Sequence, residues 1–133
     1  MQFIPYLDFD GDCAEAMAFY AKVFRGVIIS RMTHGEAPAA SAMPKDRIMH
    51  CALDSGGALL MAADSPPGTQ VTRGCVNAQV TDPEEAERIF AALSEGGQVQ
   101  MPLQETFWAQ RFGLLTDRYG KGWMVNCMKS MPM

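Results

Sequence analysis

One arrangement of residues occurs twice in this chain, and it limits the possible folds more than anything else in the sequence. Asp12, Glu15, Ala16, Phe19, Tyr20, Val23 and Gly26 have counterparts in Asp82, Glu85, Ala86, Ile89, Phe90, Leu93 and Gly96, each 70 positions later. Either copy reads as a helix. An acidic residue stands at the N-cap with a second acid three positions on, apolar residues follow at i, i+3, i+4 and i+7, and a glycine ends the run. Pro83 takes the first helical position of the second copy, where a missing N–H costs nothing. Caps, stripe and stop in common register imply two copies of one unit.

The flanking segments complete that unit. Residues 3–9 read as a strand, with Pro5 placing it at a sheet edge or at a strand start. Three strand-like segments follow each helix: 27–33, 47–54 and 58–64 in the first copy, and 98–104, 111–117 and 122–128 in the second. Asp54-Ser55-Gly56-Gly57 and Arg118-Tyr119-Gly120-Lys121 read as the hairpin turns. The order is strand, helix and three strands, twice. This predicts an α+β fold of two βαβββ modules, about 2–64 and about 73–128, within a single domain spanning 1–133. Residues 34–46 are too rich in Pro, Gly and Ala for a strand and read as a long loop of the kind that often serves as a lid; 65–73 link the modules.

Bulk properties narrow the partners. A net charge of −4, with Lys and Arg scattered singly, gives no basic face for nucleic acid and no polybasic membrane stripe. No apolar run approaches the ~20 residues of a membrane span, and the N-terminus lacks a signal-peptide pattern, so the cytoplasm is the expected location. Cys13, Cys51, Cys75 and Cys127 form no Cys-x-x-Cys pair and read as free thiols, mostly buried. Eleven methionines suit an irregular core or an adaptable cavity wall.

Several blocks carry a family resemblance: Pro5-Tyr6-Leu7 with Phe9-Asp10-Gly11, Phe19-Tyr20, Gly35-Glu36-Ala37-Pro38, Ile48-Met49-His50 and Leu60-Met61-Ala62-Ala63-Asp64. The most specific runs from Gln104-Glu105-Thr106-Phe107-Trp108-Ala109 through Phe112-Gly113, Asp117 and Tyr119-Gly120 to Trp123-Met124-Val125-Asn126. Across nearly its whole length the chain resembles the PhnB-like branch of the vicinal oxygen chelate superfamily, which includes glyoxalase I, ring-cleaving dioxygenases and bleomycin-resistance proteins. The resemblance implies two modules whose curled mixed sheets surround a cavity, a homodimer, and a small organic ligand.

In the superfamily's enzymes, His and Glu from the first and fourth strands of each module hold a divalent metal. The matching positions here fall near Tyr6, Met61, Val76 and Met124, or one residue either side, and none is His or Glu. Neighbouring Asn77 and Asn126 offer amide oxygens, but two neutral oxygens hold a transition metal weakly. No cofactor is therefore expected, with a divalent metal as the alternative. The branch also carries a label from ubiquinone-pathway methyltransferases. An S-adenosylmethionine enzyme usually has a Gly-rich turn between a parallel strand and a helix, whereas Gly56-Gly57 and Gly96-Gly97 lie in a hairpin turn and after a helix.

The candidate site residues each admit two readings. His50 is either a satisfied core histidine or, if the Met49, Cys51 and Leu53 face packs under a helix, a cavity-facing base or ligand donor. His34 and Glu36, in the loop, are solvated polar residues or partners of His50 in an improvised metal set. Glu105 is a surface partner of an Arg, or a proton-moving carboxylate whose pKa is raised beside Trp108. Asp117 caps a turn or joins Glu105. Phe107 and Trp108, large rings on a loop, are expected to cover a cavity or a partner, while Trp123 and Tyr20 are core. The favoured reading is a binder of small, partly aromatic or polar molecules, with a cleft lined by His50, Asn77, Gln79, Phe107 and Trp108. The alternative is a metal-dependent lyase, isomerase or dioxygenase with a non-standard site.

Overall fold

The structure, a computed structural model, describes residues 1–37 and 42–129; residues 38–41 of the long loop lie outside the described residues. The chain divides into two compact units, Met1–Thr72 and Arg73–Met133. Unit 1 holds β1 (Tyr6–Phe9), α1 (Cys13–Val23), β2 (Val27–Thr33), β3 (Ile48–Ser55) and β4 (Ala58–Asp64), and its sheet runs β1-β4-β3-β2. Unit 2 holds β5 (Val76–Val80), α2 (Pro83–Ser94), β6 (Gln98–Gln104), β7 (Ala109–Thr116) and β8 (Gly122–Met128), ordered β5-β8-β7-β6. In each sheet the first strand pairs in parallel with the last and the other pairings are antiparallel. These are the two βαβββ modules expected from the repeat.

Each helix covers one face of its own sheet. Along α2, Ala86, Ile89, Phe90 and Leu93 are buried, the four positions of the predicted stripe. A buried Leu, Ile or Phe side chain contributes roughly 1.5–3 kcal/mol, enough to hold a short helix that would be marginal alone. Gly113 on β7 is small for the same reason: a Cβ there would lie 2.6 Å from the Phe90 ring. In α1 the stripe is shifted. Cys13 and Met17 are buried with Ala16, Tyr20 and Val23, while Phe19 is half-exposed.

The two helix starts also differ. Asp82 caps α2 through the Glu84 N–H, with Pro83 behind it, but Asp12 makes no side-chain capping bond to α1. The carboxylate there comes from Asp64, at the end of β4. Its Oδ1 accepts from the N–H groups of Gly11 (2.8 Å) and Cys13 (3.1 Å), and its Oδ2 from Ile48 N–H (2.8 Å). One buried side chain thus ties three segments together. At the other end of α1, Arg25 takes the left-handed turn (φ 51°), and Gly26 is needed for close approach to the Asp54 carbonyl.

The expected alternation along β3 fails at its start. Ile48 is buried and Met49 is 42% exposed. The register explains this: Met32 pairs with His50 and Thr33 with Ile48, leaving Met49 as an extra residue in a bulge. Cys51 and Leu53 face α1 as expected.

Candidate ligand-binding faces

Register partners share a face of a sheet, so the faces turned away from the helices can be read from the pairings. In unit 1, Leu7, Cys51, Leu60 and Ala62 are buried, and the opposite set includes Tyr6, Met61, Ala52 and His50. Tyr6 and Met61 are direct partners, at the positions where the resemblance implies metal ligands. The Tyr6 hydroxyl lies 3.3 Å from His50 Nδ1, so the imidazole has a phenol as its neighbour rather than a carboxylate. Burial, followed by the nearby Cys13 and Cys51 thiols, pushes the Tyr6 phenol above its ordinary pKa, which favours the protonated form.

The weaker candidates in this unit are engaged locally. Glu36 Oε1 accepts from Thr33 N–H (3.0 Å) and Thr33 Oγ1 (2.9 Å), and these bonds hold its pKa below the usual carboxylate range. His34 donates its backbone N–H to the Arg47 carbonyl, across the base of the loop. His34, Glu36 and His50 are not gathered: among the described residues no three His, Cys, Asp or Glu side chains form a group able to hold a metal ion.

In unit 2, Val125 and Cys127 are fully buried, and Gly113 lies beneath Phe90 of α2. The other face carries Asn77, Gln79, Met124, Asn126, Phe112 and Leu114 through the pairs Asn77–Met124, Gln79–Asn126, Asn126–Phe112 and Met124–Leu114. Val76 belongs to the helix side, opposite Trp123, so the position that pairs with Met124 is Asn77.

Three carboxamides meet on this face. Asn77 Nδ2 (3.3 Å) and Asn126 Nδ2 (3.5 Å) both donate to Gln79 Oε1. Gln79 Nε2 turns to the thioether sulfur of Met128 at 3.5 Å, a weak acceptor. Asn126 is 8% exposed, and its Oδ1 is buried without a hydrogen-bond partner.

Aromatic rings continue the face. Phe112, opposite Asn126, meets Trp108 edge-on with centroids 5.3 Å apart, and Trp108 meets Phe107 at 4.8 Å. Phe107 and Trp108 occupy the bend between β6 and β7, pinned by Thr106 N–H to Ala109 O (3.0 Å) and Lys129 N–H to Trp108 O (2.9 Å). Phe107 is 89% exposed and Trp108 38%. A ring as exposed as Phe107 adds little to the core.

Beside them Glu105 pairs with Lys129, not an arginine, at 2.9 Å, and that bond draws its pKa down rather than up. An exposed carboxylate held charged in this way is a poor general acid. Asp117 is structural. Its carboxylate accepts from Tyr119 N–H (2.8 Å), Lys121 N–H (3.0 Å) and Trp123 Nε1–H (2.8 Å).

Of the site residues expected from sequence, His50 belongs to unit 1, and Asn77, Gln79, Phe107 and Trp108 to unit 2. Within unit 2 the geometry brings Asn77 and Gln79 together and puts Phe107 and Trp108 in one ring cluster. Phe112 and the buried oxygen of Asn126 acquire their place in the site only from the strand register.

Residues 1–126 match the family described as 3-demethylubiquinone-9 3-methyltransferase. Protein YjdN of Escherichia coli (strain K12) is 30% identical over 145 residues, covering 99% of this chain and 99% of its own. The chain belongs to that family, the PhnB-like one. The crystal structure of protein PA1353 from Pseudomonas aeruginosa is similar to this PhnB-like chain at TM-score 0.87 and 43% identity, covering 96% of this chain and 98% of that one. A Bacillus cereus structure described as a putative 3-demethylubiquinone-9 3-methyltransferase, PhnB protein, shares the fold at TM-score 0.79 and 24% identity, covering 96% and 99%. No helix of this PhnB-like protein, among the described residues, is long and apolar enough to cross a membrane.

Proposed function

We propose that this PhnB-like protein binds a small, ring-bearing organic molecule without the divalent metal of its superfamily. The observation that carries this is the unit 2 face, where a carboxamide cluster adjoins a run of partly exposed aromatic rings. Binding sites of this kind are largely apolar, with a few placed polar groups. At the superfamily's metal positions the side chains are phenol, thioether and amide (Tyr6, Met61, Asn77 and Met124). Such a donor set does not fit a divalent metal, which needs deprotonated or strongly basic ligands. Methyl transfer, as in the family description, finds no support in the turns that join parallel strand to helix. Residues 10–12 and 81–82 contain one glycine between them, Gly11.

Trp108 and Trp123 are the only tryptophans, so fluorescence tests the assignment. Titration with neutral aromatic compounds should change emission in wild type and in Trp123→Phe, and leave Trp108→Phe silent. No saturable change with any compound in wild type would contradict it.

The working form we propose is a cytoplasmic homodimer. Val27 and Ile29 on the edge strand β2 are 65% and 56% exposed. Apolar groups clustered at an edge favour a protein contact. Light scattering should give twice the 14.6 kDa of one chain; a monomer at all concentrations would rule the dimer out.

A further inference from the structure

The carboxamide cluster is incompletely satisfied, and in a specific way. Gln79 Oε1 already receives two N–H donors, from Asn77 and Asn126. Asn126 Oδ1 is buried without a partner, and the Gln79 Nε2 donor meets only the soft sulfur of Met128. A buried carbonyl oxygen left unpaired is costly, and proteins rarely retain one without use. Asn126 is more than nine-tenths buried, so the cost is borne by the fold itself.

The electrostatics select against anions. An unpaired amide oxygen repels a carboxylate or phosphate oxygen. On the same side of β8, the Arg73 guanidinium packs where Gly122 lacks a Cβ. Gly122 and Asn126 are four residues apart, ~13 Å along a strand, and Arg73 is occupied by Thr116 Oγ1 at 3.0 Å. The group that fits beside Phe112 is therefore neutral and offers an N–H to Asn126 and a carbonyl to Gln79.

We propose that Asn126 and Gln79 form a subsite for the amide edge of a neutral, ring-bearing carboxamide or lactam, with Asn126 Oδ1 as the residue that sets specificity. This deepens, and rests on, the small-molecule reading. A site built around a polar contact discriminates strongly against analogues that lack it, because its own group is left unpaired.

The test uses three probes of one ring size: benzamide, benzoate and anisole, titrated through Trp108 fluorescence. Wild type should bind benzamide at least tenfold more tightly than either of the others. Asn126→Leu should abolish that preference, and its Tm should equal or exceed wild type, because a merely structural amide would lower Tm when removed. Gln79→Met, on an exposed side chain, should reduce the same preference and keeps the test standing if Asn126→Leu does not fold. Equal or tighter binding of benzoate, or an unchanged benzamide-to-anisole ratio in both variants, would overturn the amide subsite alone. If none of the three probes is bound, the small-molecule reading falls with it.

Discussion

Replacing Asp64 with alanine should destabilise the protein by about 3–5 kcal/mol, a large part of the 5–15 kcal/mol that usually holds a domain together. The carboxylate is 6% exposed and accepts three backbone N–H groups, from Gly11, Cys13 and Ile48. Each buried N–H stranded by its loss costs about 1–3 kcal/mol, and losses within one network are not additive. Asp12→Ala is the matched control. Its side chain makes no capping bond, so a loss of less than about 0.5 kcal/mol is expected, as for an ordinary surface site. Urea denaturation separates the two: Asp64→Ala should move the midpoint strongly at constant slope, and Asp12→Ala should barely move it. The reverse order would show that the helix is capped from its own sequence after all.

Gly97→Ala should cost about 3 kcal/mol through overpacking. Gly97 is not in the left-handed region; it is glycine because of what it touches. A Cβ would come within 2.2 Å of the Thr116 carbonyl oxygen and 2.9 Å of the Asp117 backbone. Backbone atoms of a paired strand cannot swing aside as a side chain does, so β6 and β7 would have to part at the point where Gln98 meets Thr116. Gly57→Ala has open space and suffers only from its positive φ, so its cost should be smaller, about 1–2 kcal/mol. Thermal unfolding of the two variants side by side checks the order.

These contrasts show what was legible in the sequence. The repeat was, because a helix cap, a stripe at helical spacing and a glycine stop are local, and the strand-helix-three-strand order followed from them. Long-range substitutions were not. Asp12 has the right residue type and position for an N-cap, yet Asp64 does that work from 52 residues away, and no local pattern predicts a partner brought in by sheet pairing. Met49 illustrates the same limit, because its exposure depends on a bulge defined by the opposite strand.

The candidate site divides similarly. Phe107 and Trp108 stood out as large rings on a loop, and Asn77 and Gln79 alternate visibly along β5. Asn126 was visible only as a weak metal donor. That its oxygen is buried and unpaired within a three-amide cluster depends on the parallel register of β5 with β8, which places Gln79 opposite Asn126. Glu105 shows a different limit. Nearness to a tryptophan suggested a raised pKa, but Lys129, one residue past β8, pairs with it and lowers the pKa instead.

The central claim is that binding needs the amide and aromatic side chains of unit 2 and no metal, and one titration tests it directly. Protein dialysed against a chelator and titrated with benzamide should give saturable shifts in the side-chain amide resonances of Asn77, Gln79 and Asn126 and in the Trp108 indole N–H. Added Zn, Mn, Ni or Fe should leave the affinity unchanged. Binding that appears only after a metal is added, with those amide resonances unmoved, would contradict the account.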